Sequence, residues 1–270
     1  MRKDTTITIL FCMMLAATLL TSCSIFQPSE STACEAFGDL KGSLVLIDCS
    51  SGYTTTFGPS SSTVQLPPCS TFKIVNALIG LETGIISSSD EQFYKWDGIE
   101  RPIPSWNHDL TLLEAFQASC VPAFQALARQ VGQERMKSWI EKTGYGNKDI
   151  SAGIDVFWLP GKRRNTILIS PAEQAKLMQT VVAGDVPFSK ASLAVLKKLM
   201  FTKETKQGVL YGKTGSGTDE HGALVLGWFV GYVESNGKTY AFACNAQGNN
   251  VMSKNARAIV ESFLERQGLL

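Results

Sequence analysis

Two short runs in this chain carry residue types at the spacing needed for nucleophilic acyl chemistry. Ser70-Thr71-Phe72-Lys73 sets a hydroxyl and an amine three residues apart, one turn if the segment is helical. An amine held there can act as base for the hydroxyl, provided it is uncharged. A serine that opens a helix also gains the free N–H groups and positive potential of the first turn, which favour an anionic intermediate. Lys213-Thr214-Gly215 follows a strand-like run and precedes a glycine-rich stretch. A strand edge of that kind offers N–H groups to a carbonyl oxygen and a lysine charge to a substrate carboxylate. Both patterns recur. Ser235 to Lys238 repeats the first in a polar turn, where it would be solvated, and Lys142-Thr143-Gly144 repeats the second after a helical run, where it reads as a C-terminal cap. Only the Ser70 copy stands between Pro67-Pro68-Cys69 and an apolar helix.

The elements that must position these residues follow from periodicity. Gly42–Asp48 and Tyr53–Phe57 are β-branched, apolar runs separated by Ser-Ser-Gly, a hairpin signal. Pro67-Pro68 then stops extended chain, and Ile74, Leu78 and Leu81 recur at helical spacing until Gly84. Leu110–Glu141 is helical with a break around Pro122. Ser170 followed by Pro171 predicts an N-cap and a helix to about Val182, and Ser189–Met200 predicts another. Val209–Lys213, Ala223–Val233 and Thr239–Ala243 are strand-like, with Ser235-Asn236-Gly237-Lys238 as a tight hairpin turn. Asn255–Arg266 closes the chain as a helix. Strands, then many helices, then meandering strands predict an α/β protein of the α+β type. An antiparallel sheet is flanked by helices, and a mostly helical insertion forms a second lobe. The lack of strand–helix alternation excludes a doubly wound parallel sheet.

Bulk properties narrow the class. The 270 residues carry a net charge of +1 with no charge blocks, which argues against a nucleic-acid partner. Seven cysteines show no metal-ligand spacing; a Cys34–Cys49 bridge is one option, and Cys69 and Cys120 read as small core residues. Two histidines, His108 and His221, lack a helical partner, so a zinc site or a Ser-His-Asp triad is disfavoured, with His221 expected to be exposed. Arg2, Lys3 and the apolar run Ile7–Leu20 predict an export signal over residues 1–22, too short to span a membrane. Leu20-Thr21-Ser22-Cys23 resembles a bacterial lipobox, which implies lipidation of Cys23, a tether over 23–34 and a single domain over 35–270. The protein would then face the periplasm on a lipid anchor, in the outer membrane if the cell is Gram-negative, or be soluble there without the lipid.

Between the two chemical motifs stands Ser119-Cys120-Val121, where related active-serine enzymes carry Ser-Asp-Asn. Further on come Tyr145-Gly146-Asn147 and Phe157-Trp158-Leu159. With KWDG from Lys95, WNHDL from Trp106 and the later GWFVGYVE, this ordered set resembles the class D beta-lactamases, the oxacillinases, across the whole predicted domain.

The resemblance implies hydrolysis of a small beta-lactam substrate. Ser70 would be the nucleophile and Lys73 a general base after carboxylation by carbon dioxide or bicarbonate, with no separately bound cofactor. Such a lysine must first be neutral, and lowering its pKa by about 3 from near 10.4 takes roughly 4 kcal/mol of differential stabilisation. Phe72, Val121, Trp158 and Leu159 are the expected apolar wall, and Trp158 has an indole N–H for the carbamate. Ser119 would relay a proton to the leaving nitrogen, and Lys213 would supply positive potential. Thr214 and Gly215 would hold substrate, the N–H groups of Ser70 and Ser216 would form an oxyanion hole, and Arg257 would take the substrate carboxylate. Trp106 would line the cleft. Tyr145-Gly146-Asn147 is expected to be structural, and Trp96 and Trp139 to be packing residues. The resemblance also admits a beta-lactam sensor domain that acylates without turnover.

Overall fold

Runs rich in Val, Leu and aromatic residues pair into one antiparallel sheet in the computed structural model, which describes residues 35–58 and 60–270. The strands are β1 (Lys41–Asp48), β2 (Thr54–Phe57), β5 (Phe201–Glu204), β6 (Gly208–Thr218), β7 (Leu224–Ser235) and β8 (Lys238–Gln247). Their order in space is β2-β1-β8-β7-β6-β5. β1, β7 and β8 are buried along most of their length, so they read as continuous apolar runs, because both faces of the sheet are covered. The C-terminal helix (Ser253–Arg266) covers one face, where Phe263, Val260 and Ile259 pack with Phe229, Phe242 and Leu210.

The other face packs against the helical lobe inserted between β2 and β5. Its helices are α1 (Lys73–Glu82), α2 (Leu112–Gln117), α3 (Val121–Val131), α4 (Gln133–Thr143), α5 (Pro171–Ala183) and α6 (Lys190–Met200); the C-terminal helix is α7. α5 starts as expected at the Ser170 cap: the Ser170 hydroxyl accepts from Glu173 N, and the Glu173 carboxylate accepts from Ser170 N. α4 ends at Gly144, whose φ of +62° is the left-handed conformation that glycine adopts without strain. The lysine of the Lys142 copy is thus part of a helix cap. The β7–β8 turn has Asn236 and Gly237 at positive φ, as a two-residue hairpin requires.

Two expectations are corrected. The break expected around Pro122 is present at 118–120, with Pro122 in the first turn of α3 where a missing N–H costs nothing, but the same run carries a second, unexpected break at Gly132 with φ +81°. The strand predicted to stop at Lys213 runs on to Thr218, since pairing with β7 continues to Thr218↔Leu224. β5 and a small ladder of β3 (Gln92–Tyr94) with β4 (Leu110–Thr111) are too short to show a period of their own. Cys49, Cys69, Cys120 and Cys244 are free thiols; Cys34, the other half of the bridge considered above, lies outside the described residues. The expected signal, Cys23 and most of the tether also lie outside them. No helix among the described residues is long and apolar enough to cross a membrane.

Candidate active site

Ser70 sits in a 3-10 turn, Cys69–Phe72, that runs directly into α1, with Lys73 as the first residue of the α-helix. Cys69 enters this turn at φ +53°, a conformation that costs an L-residue about 1–2 kcal/mol and re-aims the chain after Pro67-Pro68. Lys73 Nζ donates to Ser70 Oγ at 2.8 Å. Ser70 is half-buried and reachable, whereas Lys73 is fully buried. Burial lowers the Lys73 amine from the ordinary lysine value of 10.5 to about 7, with the Cys120 and Cys69 thiols opposing the fall. Burial pushes the Cys69 thiol up to about 12 and raises that of Cys120, so both stay protonated and neither is a nucleophile at neutral pH.

The structure adds Phe124 to the apolar wall expected around Lys73. Nζ stands 5.4 Å from the centre of the Phe124 ring, one helical turn beyond Val121 on α3. Val121 itself is half-buried at the head of α3, and Leu159 is half-buried against the main core. Trp158 is fully buried and stacks on Phe72 at 5.4 Å. Its Nε1 is buried with no hydrogen-bond partner among the described residues, a cost of about 1–3 kcal/mol that marks it as a donor awaiting an acceptor. Tyr145 meets the edge of Phe72 at 5.4 Å and is buried, in keeping with a structural role.

β6 brings the second motif to the first. β5 pairs only with Val209–Tyr211, so among the described residues Lys213–Thr218 has a ladder partner on the β7 side alone. The Ser70 turn lies against this stretch: a Cβ at Gly215 would come within 3.0 Å of Pro68 O and 3.2 Å of Ser70 N. Glycine is required there by this close approach. Lys213 is buried; its Nζ donates to Thr214 O at 3.1 Å and lies 5.6 Å from the Phe116 ring centre. Burial, and then repulsion by Lys73, holds the Lys213 amine well below the ordinary lysine range. The Ser216 hydroxyl faces the opposite side and accepts from Ser253 N at 3.0 Å.

Ser119 has φ +54°. Its position follows from how α2 ends: Cys120 N donates to Ala115 O at 2.8 Å and Ser119 N to Phe116 O at 3.1 Å. That is the Schellman pairing, and Ser119 occupies the left-handed site usually given to glycine. Trp106, half-buried, donates its indole N–H to Ala118 O at 2.9 Å.

Arg257 lines a cleft of about 340 Å³ together with Lys213, Thr214 and Phe116. Its Nε donates to Glu261 Oε1 at 2.7 Å. Its guanidinium carbon lies 5.9 Å from the centre of the Phe229 ring. Trp96 is partly buried against the core and Trp139 stacks on Phe188, as packing residues do. His221 is exposed, and no metal-holding cluster occurs among the described residues. The structure therefore gathers Ser70, Lys73, Lys213, Thr214 and Gly215 into one locus. Phe124 and Phe116, the rings that face the two buried amines, escaped the sequence reading; the helical spacing of Phe124 from Val121 and of Phe116 from Leu112 was the available signal.

An active serine and its lysine on a helix, beside an antiparallel strand edge, define a penicillin-binding type of domain. Residues 47–265 match the family model for the penicillin binding protein transpeptidase domain. Beta-lactamase OXA-5 of Pseudomonas aeruginosa is 38% identical over 85% of this chain and 85% of its own length. Probable beta-lactamase YbxI of Bacillus subtilis (strain 168) is 36% identical over 90% of this chain and 86% of its own. The crystal structure of FUS-1 (OXA-85), a class D beta-lactamase of Fusobacterium nucleatum subsp. polymorphum, covers 90% of this chain and 100% of its own with TM-score 0.82 and 32% identity. The regulatory protein BlaR1 of Bacillus licheniformis is 33% identical over 84% of this chain but only 37% of its own length. The chain belongs to the class D beta-lactamases.

Proposed function

We propose that this enzyme hydrolyses beta-lactam antibiotics through an acyl-enzyme on Ser70, and so gives resistance to the cell that makes it. The observation that carries the reading is the 2.8 Å contact between the Ser70 hydroxyl and a fully buried Lys73 whose pKa falls to about 7. An uncharged amine at that distance can take up carbon dioxide, and the carbamate so formed would accept the hydroxyl proton as Ser70 attacks the lactam carbonyl. The N–H groups of Ser70 and Ser216 would receive the oxyanion, each worth about 3–4 kcal/mol. Ser119 would hand a proton to the departing lactam nitrogen. Thr214 and the Arg257 guanidinium, on one cleft, would hold the substrate carboxylate, and Trp106, Val121 and Leu159 would border the substrate.

The surroundings of Lys73 fit a carboxylated lysine: the amine is dry, with a pKa low enough that much of it is uncharged at neutral pH, and the Trp158 donor has no partner among the described residues. Carbon dioxide captured by that amine would supply an anionic base beside Ser70, with Trp158 Nε1 as the donor that would hold it. An opposite charge near Lys213 favours its ammonium form, which the positive-potential role requires. Nitrocefin turnover with and without bicarbonate tests this. Sustained turnover that falls in bicarbonate-free acidic buffer supports the reading. A single stoichiometric burst would point instead to a sensor domain that acylates and stalls. Val121→Asp should lower the carbamate signal in labelled-carbon NMR.

For location, the reading is an exported lipoprotein held by Cys23 on the periplasmic side. Palmitate labelling should be lost in Cys23→Ala; a variant that still labels and stays on the membrane refutes the anchor.

A further inference from the structure

We infer that Trp106, besides bordering the substrate, is a positioning residue for Ser119 and acts on it through the backbone. The inference rests on the proton-relay reading of Ser119 and deepens it. A serine in the left-handed Schellman site is strained by about 1–2 kcal/mol relative to glycine, so something must hold it there. The two backbone bonds that end α2 fix Ser119 N and Cys120 N, but they leave the Ala118 carbonyl to be satisfied from elsewhere. The Trp106 indole satisfies it at 2.9 Å, from twelve residues upstream. That bond pins the peptide plane between Ala118 and Ser119, and with it the ψ of one residue and the direction in which the Ser119 Cβ leaves the chain.

Trp106 is itself fixed. It ends a short 3-10 turn, Pro104–Trp106, in which its own N–H donates to Ile103 O at 3.0 Å. The neighbouring Asn107 ties this turn to Arg101, accepting from Arg101 N at 2.9 Å and donating to Arg101 O at 2.9 Å. Arg101 is in turn paired with Asp97 at 2.6 Å. The loop 97–107 is thus a braced strut that spends the Trp106 indole donor on the carbonyl before Ser119. A ring that served only as a wall for substrate would have no need of this bond.

The test replaces Trp106 by 3-benzothienylalanine, which keeps the double ring and loses only the N–H, and by phenylalanine. Each is combined with Ser119→Ala, and acylation and deacylation rates are read separately. In the benzothienyl variant, loss of one hydrogen bond should slow acylation about three- to tenfold while leaving deacylation near wild type. In the Ser119→Ala background the same replacement should have no further effect on acylation. If the benzothienyl variant acylates at the wild-type rate, or its effect persists without the Ser119 hydroxyl, the positioning role is overturned. If Ser119→Ala itself acylates normally, the relay reading fails instead, and the two failures are told apart.

Discussion

The chain writes its Ser-x-x-Lys pattern twice, and the two copies share nothing but spacing. At Ser70 the lysine is fully buried and its amine reaches the hydroxyl at 2.8 Å. At Ser235 the pattern spans the β7–β8 turn, where the Ser235 hydroxyl instead donates to Gln207 O at 2.6 Å. Lys-Thr-Gly is also doubled: Gly144 caps a helix, whereas Gly215 lets the Ser70 turn approach a strand. The lesson is that dehydration and neighbours make these groups reactive. Spacing alone does not.

The largest effect expected from breaking that contrast is at Ser70. Ser70→Ala should reduce nitrocefin turnover by about 10⁴–10⁶-fold, whereas Lys238→Ala in the other copy should leave the rate unaltered. A Lys238 variant with impaired turnover would show that the second copy is not inert.

Lys73→Met should lower turnover by about 10²–10⁴-fold and yet raise stability by about 1–4 kcal/mol, since it removes a buried ionisable group. The pH dependence follows from the same burial. The folded-state pKa of Lys73 is depressed to about 7 from 10.5, so between those values the unfolded chain binds more protons than the folded one. Lys213 shifts in the same direction. Stability measured in denaturant should therefore rise with pH across that window and flatten below about 7, and in Lys73→Met the rise should shrink. Turnover should fall as pH drops through about 7. A wild-type stability that declines from pH 7 to 10 would contradict the buried, neutral lysine.

The two glycines sharpen the contrast further. Gly215→Ala must push against Pro68 O and the Ser70 backbone, and should cost roughly ten- to a hundredfold in turnover. Gly144→Ala, with open space around its Cβ but φ +62°, should instead cost about 1 kcal/mol of stability and no activity. The smallest expected effect is a gain. Ser119→Gly relieves a positive φ and should raise Tm by roughly 2–4 °C, for about 1 kcal/mol, even as acylation falls. Calorimetry beside stopped-flow acylation would expose a Ser119 that is neither strained nor needed.

Much of the fold was legible because its signals are local. The β1–β2 hairpin, the Ser170 cap, the α4 stop at Gly144 and the β7–β8 turn each follow from a few adjacent residues. The extension of β6 through Thr218 was hidden, because the glycines that look like a loop are demanded by a turn some 145 residues earlier in the chain. Phe124 and Phe116 were likewise hidden among ordinary helical apolar positions. Ser119 was visible as a hydroxyl, but its left-handed backbone was not.

By itself the amino-acid order determined the helix and strand periods, the caps and turns, and the ordered motif set that names the family. Tertiary structure alone decided which of two equivalent lysines loses its water, since desolvation comes from side chains that converge from α3, β6 and the Ser70 turn, far apart along the chain. It also decided which hydroxyl that lysine can reach, because a 2.8 Å contact depends on how a 3-10 turn is wedged against a strand.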